Sequence, residues 1–404
     1  MQALIFTLLK YVEIGITAIS MLIVARVIGP EQMGVLMPIF LFITYSNYLN
    51  LGSSQLVLKY LSIESKETNA VIDVAVKILF FSITAVLVIA WLLLDNQFSL
   101  RVGIVSCCIL TRSVMIANLR AKNKYRKINI NNIAVSLIML TGSLFFVLNV
   151  TDFVWLLLIV NVSSLLLYVF SDLSFTRRAI YSMRSNIRID AFRFYLIVAI
   201  KLSVIGLFTT LLLTLDKLVL QMFDFTKTQY GIYQLSDNIA NLIYVGLSAL
   251  LFFMYPILLV KIKNSKVYLK RYLNAQLFFF PVCLVGLILL WCVGFYIELV
   301  IFPEFTGLSN ILVYSVAYKI SVFQLSLMSV VFISRDNETY MIKVCLLTMV
   351  LIILFVFLGV FLFHIREMQE ILLSAIVAIN LSYIYEFFKE KKQAGNRLFQ
   401  WEEH

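Results

Sequence analysis

The chain carries charged residues inside stretches that are otherwise long and apolar, and their types indicate what chemistry they could perform. Lys201, Asp216 and Lys217 lie in or at the edge of one such stretch, residues 201–231. A charged side chain near the centre of a bilayer costs at least a few kcal/mol, so such residues usually face a protein interior or a water-filled cavity. Lysines there could pair with an anionic substrate, and carboxylates could take up a coupling proton or cation.

Three lysines are candidate contacts for an anionic substrate. Lys10 and Lys201 each lie about 10 Å deep from the predicted cytoplasmic end of their helix, at about 1.5 Å per residue. Lys319 lies near the middle of its apolar stretch. Other interpretations remain open: Lys10 and Glu13 could neutralise each other one turn apart, Lys201 could extend to the lipid headgroups, and Lys319 could pair with an acid on a neighbouring helix.

Two arginines and three acids complete the set of candidate site residues. Arg26 ends the first span on the predicted outer side, and Arg112 lies toward the inner end of the fourth. Each could contact the substrate or anchor its helix at the membrane interface. Glu13, Asp216 and Asp237 are candidates for ion coupling, although each could equally serve in a structural hydrogen bond or ion pair.

These residues must be positioned by membrane-spanning helices. The chain has 404 residues, of which 62% are hydrophobic and 14% are charged, whereas a soluble domain carries about 25% charged residues. The apolar runs are too long, and too free of alternating polarity, for a β-barrel. We therefore predict an all-α polytopic membrane protein with twelve transmembrane helices, at 3–25, 34–58, 71–94, 102–118, 128–149, 153–170, 194–219, 229–258, 274–297, 308–333, 340–363 and 370–388.

The basic residues indicate how the chain is oriented. The net charge of +11 comes from short clusters between apolar runs, so we expect no nucleic acid as a partner. Most of these clusters fall in alternate loops, which are therefore predicted to be cytoplasmic, as are both termini. The predicted outer loops contain only Arg26, Arg101, Lys227 and Arg366.

The predicted helices divide into two halves of six. A basic cytoplasmic linker, 171–193, separates an N-terminal lobe, 1–170, from a C-terminal lobe, 194–388, which a cytoplasmic tail, 389–404, follows. Both halves then begin on the same side of the membrane and are parallel repeats. Short matches in corresponding order support the repeat, among them Lys10-Tyr-Val-Glu-Ile-Gly15 with Lys201-Leu-Ser-Val-Ile-Gly206. We expect the two lobes to surround a central cleft, with Lys10 and Lys201 facing each other across it.

The sequence shows no signature of catalysis. It has two histidines, His364 and His404, and neither neighbours a plausible nucleophile. Its five cysteines lie in apolar runs without metal-ligand spacing, and it contains no P-loop. We therefore expect neither an enzyme nor a bound cofactor or metal. Any uphill transport would draw on an ion gradient or on downstream consumption of the product.

Two motifs resemble those of polysaccharide flippases. The stretch Ala25-Arg-Val-Ile-Gly-Pro-Glu-Gln-Met-Gly34 is similar to their A-R-x-L-G-P-x-x-[FY]-G turn after the first helix. The stretch Thr214-Leu-Asp-Lys-Leu-Val-Leu220, followed by Tyr230-Gly-Ile-Tyr233, is similar to their D-[RK]-x-[IV]-L and G-I-Y signature. Ile28 and Met33 depart from the usual leucine and aromatic residue. The chain most resembles the O-antigen flippases (Wzx) of enteric bacteria, in the superfamily that includes the MATE exporters.

The resemblance implies a function and partners. A flippase of this family moves an undecaprenyl-pyrophosphate-linked oligosaccharide, such as an O-antigen repeat unit, from the cytoplasmic to the periplasmic leaflet of the bacterial inner membrane. It does so by alternating access of two MATE-like lobes around a cationic cleft. Membrane lipid is an expected partner, and the O-antigen polymerase and chain-length regulator are further candidates.

Three alternatives remain open at this stage. A membrane-embedded O-antigen polymerase would be expected to have a sizeable outer loop with catalytic residues, whereas the predicted outer loops are short. A MATE-type ion-coupled exporter of cationic drugs would favour an acidic cleft, whereas the deep charges here are mainly lysines. A purely structural membrane scaffold would not need Lys10, Lys201 and Lys319 at depth.

Overall fold

The computed structural model of the protein describes residues 2–62, 68–185, 189–335 and 337–396. Within these residues the chain is helical, with no strand, which confirms the predicted all-α polytopic class. The helices are α1 (Gln2–Ser46), α2 (Ser53–Ser62), α3 (Thr68–Leu93), α4 (Asn96–Ala121), α5 (Tyr125–Phe145), α6 (Val150–Ser171), α7 (Leu173–Met183), α8 (Ile189–Leu220), α9 (Lys227–Asn264), α10 (Lys266–Tyr296), α11 (Leu308–Ser334), α12 (Glu338–Phe363) and α13 (Met368–Asn396).

These helices match the predicted spans closely. Ten stretches of the described residues are helices long and apolar enough to cross a membrane. One of them, Leu8–Asn50, contains most of the predicted span 3–25 and part of 34–58. Each later predicted span, from 71–94 on α3 to 370–388 on α13, overlaps a single helix. Helices satisfy their backbone hydrogen bonds internally, which is why apolar segments of this length adopt them in lipid.

A kink in α1 replaces the loop predicted between the first two spans. Gly29 has φ 73° and ψ 175°, which lie outside the helical region. Glycine reaches positive φ without the steric cost of a Cβ, and Pro30 disfavours a helical conformation in the residue before it. Helical structure resumes directly afterwards, so the two segments are continuous in sequence on either side of the kink.

The predicted span 34–58 is not one helix, and the prediction is wrong there. α1 gives way to a 3₁₀ turn, and Leu51 and Gly52 then adopt left-handed φ values of 48° and 80° before α2 begins. A Cβ on Gly52 would lie 1.9 Å from the backbone oxygen of Ala199. The break is therefore fixed by a close backbone approach that hydropathy does not register.

The chain packs as two compact units, Met1–Leu207 and Phe208–His404, and the boundary between them falls within α8. The predicted linker 171–193 contains a helix, α7, and the start of α8. The predicted lobes 1–170 and 194–388 stay a prediction.

The two units share several contacts between corresponding helices. In the first unit, α4 packs against α2, α3 and α6, and α5 packs against α6. In the second unit, α11 packs against α9, α10 and α13, and α12 packs against α13. With α2 matched to α9 and α4 matched to α11, these contacts correspond one to one. Such correspondence is the packing that an internal repeat produces.

α11 is the central helix of the second unit. In the most apolar 18-residue stretch of α11 about two thirds of the residues are buried, whereas in that of α10 only about a tenth are buried. In a membrane-spanning chain, the exposed apolar side chains of α10 face lipid. Polar residues on α11 are therefore enclosed by neighbouring helices rather than by the bilayer.

Candidate functional site

Three helices of the second unit bring four charged residues together. A capping box at the start of α9, in which Thr226 and Gln229 bond each other reciprocally, fixes where this helix begins. From there Tyr233, Asp237 and Asn241 recur every four residues and so share one face of α9. This face contributes Asp237 to a cluster with Asp216 and Lys217 of α8 and Lys319 of α11, which we call the charge quartet.

The charge quartet is held by short ion pairs. Lys217 Nζ lies 2.6 Å from Asp237 Oδ2, and Lys319 Nζ lies 2.8 Å from Asp237 Oδ1. Lys319 Nζ also lies 3.4 Å from Asp216 Oδ2. Asp237 thus bridges the two lysines, and Lys319 bridges the two acids.

Neutral groups hydrogen-bond to the members of the charge quartet. The donors and acceptors are Tyr233 Oη to Asp216 Oδ2 (2.5 Å), Asn241 Nδ2 to Asp237 Oδ2 (2.8 Å), Lys319 Nζ to the Leu213 carbonyl (2.7 Å) and Lys217 Nζ to Gln234 Oε1 (3.3 Å). All four charged residues are at most 6% exposed. Their formal charges cancel, which is the condition under which buried charges are tolerated.

This arrangement bears on the roles expected of Lys319, Asp216 and Asp237. Lys319 is 1% exposed and pairs with acids on neighbouring helices, which was one of its two interpretations. Both acids are in turn bonded to lysines. Substrate contact by Lys319 and ion coupling by the two acids stay predictions.

A second polar network lies in the first unit, and we call it the N-terminal network. Glu13 of α1 accepts a hydrogen bond from Lys10 Nζ at 2.7 Å and another from Asn132 Nδ2 of α5 at 3.0 Å. Tyr168 of α6 donates its hydroxyl to Asn132 Oδ1 at 2.6 Å. Glu13 and Asn132 together thereby connect α1, α5 and α6.

Arg112 of α4 extends the N-terminal network. Its Nη1 donates to Ser164 Oγ of α6 at 2.9 Å, and it interacts electrostatically with Glu13 and Tyr168. The side chain of Lys10 is 38% exposed, and that of Glu13 is 17% exposed. Unlike the charge quartet, the N-terminal network is therefore partly open, and its two cations outnumber its single acid.

The predicted site residues thus fall into three groups. The structure brings Lys10, Glu13 and Arg112 together in the N-terminal network. It brings Asp216, Asp237 and Lys319 together in the charge quartet. Lys201 on α8 and Arg26 on α1 are exposed and belong to neither cluster in the described part of the chain.

Sequence reasoning missed the neutral members of both clusters. Asn132 lies in an asparagine-rich start of α5, NINNI, which is unusual for an apolar span and could have marked it. Tyr233 and Asn241 stand four residues before and after Asp237, a spacing that places them on its face. Tyr168 gave no signal, because a lone tyrosine near a helix end is ordinary in a membrane protein.

Among the described residues, no group of three or more His, Cys, Asp or Glu side chains could hold a metal ion.

No protein-family model matches the chain, and no curated protein matches it by sequence.

Solved structures of transporters share the fold. A multidrug resistance MATE family transporter of the MOP superfamily in an inward-facing conformation is similar with a TM-score of 0.73 and 13% identity, over 96% of this chain and 95% of that one. An outward-facing structure with the same description has a TM-score of 0.64 and 12% identity, over 98% of this chain and 96% of that one. The MATE transporter ClbM in complex with Rb⁺ has a TM-score of 0.58 and 14% identity, over 95% of this chain and 91% of that one. At such identities the similarity shows a common fold, and this chain has the MATE-like fold of a multi-pass membrane protein.

Proposed function

We propose that this protein is a flippase for a lipid-linked oligosaccharide. It moves an undecaprenyl-pyrophosphate-linked O-antigen repeat unit, or a similar polysaccharide unit, from the cytoplasmic to the periplasmic leaflet of the bacterial inner membrane. The observation that carries the proposal is the partly open N-terminal network, in which Lys10 and Arg112 outnumber Glu13 inside membrane-spanning helices.

The fold supports transport by alternating access. Similar structures are described in both inward-facing and outward-facing conformations, so their fold accommodates both states. An alternation of this kind lets a polar group cross the membrane without an open pore, because the site faces one side at a time.

The charges inside the helices support an anionic substrate. Six acids within the helices each lie within 4.0 Å of a lysine or arginine, namely Glu13, Asp73, Asp216, Asp237, Glu386 and Glu390. By contrast, Arg112 donates to the neutral Ser164, and Lys201 is exposed. These cations can pair with a pyrophosphate, which accepts strong charge-assisted hydrogen bonds.

Each predicted residue has a role in this proposal. Lys10, Arg112 and Lys201 bind the pyrophosphate, Arg26 and Lys319 contribute further positive charge, and the polyprenyl tail stays in the bilayer. A proton or sodium gradient could be coupled through three acids, Glu13, Asp216 and Asp237. A proton or sodium ion that binds to one of these carboxylates would release the lysine paired with it. The polymerase and chain-length regulator would receive the flipped unit.

The proposal is tested in a strain that lacks this protein but assembles the lipid-linked repeat unit. A sugar-binding probe applied to sealed inside-out and right-side-out vesicles reports which leaflet holds the intermediate. We expect accumulation on the cytoplasmic leaflet, reversed by the restored gene. Accumulation of single units on the periplasmic leaflet would contradict flipping and favour the membrane-embedded polymerase.

Lysine variants test the binding site within the same strain. We expect Lys10→Ala and Lys201→Ala each to reduce O-antigen export while protein levels stay normal, because each removes a cation that pairs with pyrophosphate. Lys10→Arg keeps the charge and serves as the matched control. Full export by the double alanine variant would rule out a role for these lysines.

A MATE-type exporter of small molecules is the second candidate function. It is favoured by the similar structures, which are described as multidrug resistance transporters. Expression in a drug-sensitive strain separates the two candidates. Resistance to cationic drugs that needs Glu13, without any change in the leaflet distribution of lipid-linked sugar, would favour the exporter.

A further inference from the structure

A cavity with a mostly apolar lining and a few polar side chains lies in the first unit, apart from both networks described above. Residues at helices α2, α3, α4 and α7 line it, it is open to the protein surface, and its volume is about 390 Å³. Lys122, Arg178 and Asn118 are among its lining residues, together with the apolar Ile72 and Phe175. The cavity therefore combines two cations with an apolar wall.

Acids on neighbouring segments hold both cations in place. Lys122 Nζ lies 2.8 Å from Asp172 Oδ2, just after α6, and Arg178 Nη2 lies 3.0 Å from Asp73 Oδ1 on α3. Asp172 also caps α7 by accepting from the Phe175 backbone N–H. The cations are thus positioned before any ligand arrives, and each retains further N–H donors beyond its ion pair.

Two buried polar atoms at the cavity have no partner within the described part of the protein. They are Nε of Arg178, which donates, and Oδ1 of Asn118, which accepts. The side chain of Asn118 is fully buried. Native proteins rarely leave such groups unpaired because of the free-energy cost. A ligand that accepts one hydrogen bond and donates another would satisfy both atoms.

Helix α7 indicates where this ligand comes from. Its exposed face carries Leu173, Ile180 and Tyr181, which are 47%, 58% and 71% exposed, alongside the exposed Arg177. A short helix with large apolar residues and arginines on its outer face is typical of one that lies in the membrane interface. The cavity beneath it is therefore at the depth of lipid headgroups rather than in bulk solvent.

We propose that this cavity binds the headgroup of an anionic glycerophospholipid with a hydroxyl-bearing headgroup, of which phosphatidylglycerol is the simplest. The phosphodiester oxygens accept from Arg178 Nε and Lys122 Nζ, and a headgroup hydroxyl donates to Asn118 Oδ1. The acyl chains leave along the apolar wall at Ile72 and Phe175. This site does not depend on the proposed transport function.

Lipid retention by the intact protein tests the proposal. Purified full-length protein in detergent is mixed with phosphatidylglycerol, phosphatidylethanolamine or phosphatidylcholine, and bound lipid is counted by native mass spectrometry. We expect one phosphatidylglycerol to be retained preferentially. We expect Arg178→Gln to weaken this retention by about tenfold or more, the scale of one charge-assisted hydrogen bond.

Matched variants separate binding from folding. Arg177→Gln removes the same charge one residue away, outside the cavity, and should retain lipid like the native protein. Asp73→Asn keeps the guanidinium of Arg178 but removes the acid that positions it, so lipid retention should fall less than in Arg178→Gln. If Asp73→Asn loses lipid as Arg178→Gln does, the effect is structural and the proposal fails.

Three further results would also overturn it. Equal retention in the Arg177→Gln and Arg178→Gln variants would mean a nonspecific charge effect. Phosphatidylethanolamine or phosphatidylcholine held as tightly as phosphatidylglycerol would exclude the assigned headgroup chemistry. Displacement of the bound lipid by soluble glycerol phosphate at comparable concentration would show that the site recognises a free phosphate ester rather than a lipid.

Discussion

At the scale of single residues, the protein keeps charge inside its helices by pairing it. Asp237 and Lys319 each contact two opposite charges in the charge quartet. Burying two acids and two lysines together avoids the cost of burying any of them alone. The same device recurs in the second unit, where Arg335 pairs with Glu390 and Tyr340 donates to Glu386.

Removing Lys319 should destabilise the protein strongly. Lys319→Met leaves Asp216 and Asp237 with one lysine between them, and we expect a loss of about 3–5 kcal/mol, as for breaking other buried ion pairs. Thermal unfolding in detergent measures the loss. Lys201→Met removes an exposed lysine and is the control.

A double variant tests whether the loss of stability in Lys319→Met comes from the acid left unpaired. Adding Asp216→Asn to Lys319→Met neutralises the acid that is left without a lysine, because Asp237 keeps its ion pair with Lys217, and should recover part of the stability. A midpoint for Lys319→Met equal to that of the native protein would contradict the tight pairing that the structure shows.

Asp172 should make stability depend on pH. Burial raises the pKa of the Asp172 carboxyl, but hydrogen bonds from Lys122, Ser174 and Asn118 outweigh this and hold the pKa below its ordinary value. Its stabilising contribution is therefore complete above the ordinary carboxyl pKa of about 4 and is lost as pH falls through the lower, folded-state pKa.

Asp172→Asn tests this dependence. We expect it to cost about 1–3 kcal/mol at neutral pH, since bonds to a charged group are lost, and to cost progressively less as pH falls below about 4. Unfolding midpoints between pH 3 and pH 8 report the difference. Asp95→Asn, at an exposed cap without a side-chain bond, is the control. A cost that stays constant across this range would contradict the prediction.

At the scale of elements, two glycines shape the helices of the first unit. Gly29 kinks α1, and Gly52 separates α1 from α2 where the backbone approaches Ala199. Apolar run length and flanking charge predicted every later span, because they report which segments enter lipid. They could not predict the break at Gly52, because that break depends on a contact with a residue far along the chain.

Replacing Gly52 should cost far more than replacing a glycine with open space around it. Gly52→Ala combines a left-handed φ with a backbone clash, so we expect a loss of about 2–5 kcal/mol. Gly15→Ala is the matched control, because nothing lies within 4 Å of its added Cβ. Thermal unfolding and detergent-extractable yield measure both. Equal stability of the two variants would contradict the close approach.

At the scale of the whole molecule, the two units share a helix adjacency that short sequence matches already suggested. The match between Lys10–Gly15 and Lys201–Gly206 pointed to a repeat, although residues 201–206 belong to the first unit. The packing of α4 and α11 corresponds within each unit. The clusters were harder to predict. Charged residues could be chosen from one sequence because charge is rare in lipid-facing helices. The partners of these residues could not be predicted from the sequence, because ion pairing depends on which helices become neighbours in the fold.

Reconstituted transport tests the central claim most directly. Purified protein is placed in vesicles that carry a fluorescent undecaprenyl-pyrophosphate-linked oligosaccharide, with and without an imposed proton or sodium gradient. A membrane-impermeant reductant then bleaches only the outer leaflet. We predict that vesicles with the protein lose nearly all fluorescence, whereas protein-free vesicles and those with the double Lys10→Ala, Lys201→Ala variant lose only the outer-leaflet share. Equal bleaching with and without the native protein, under every gradient, would contradict the proposed function.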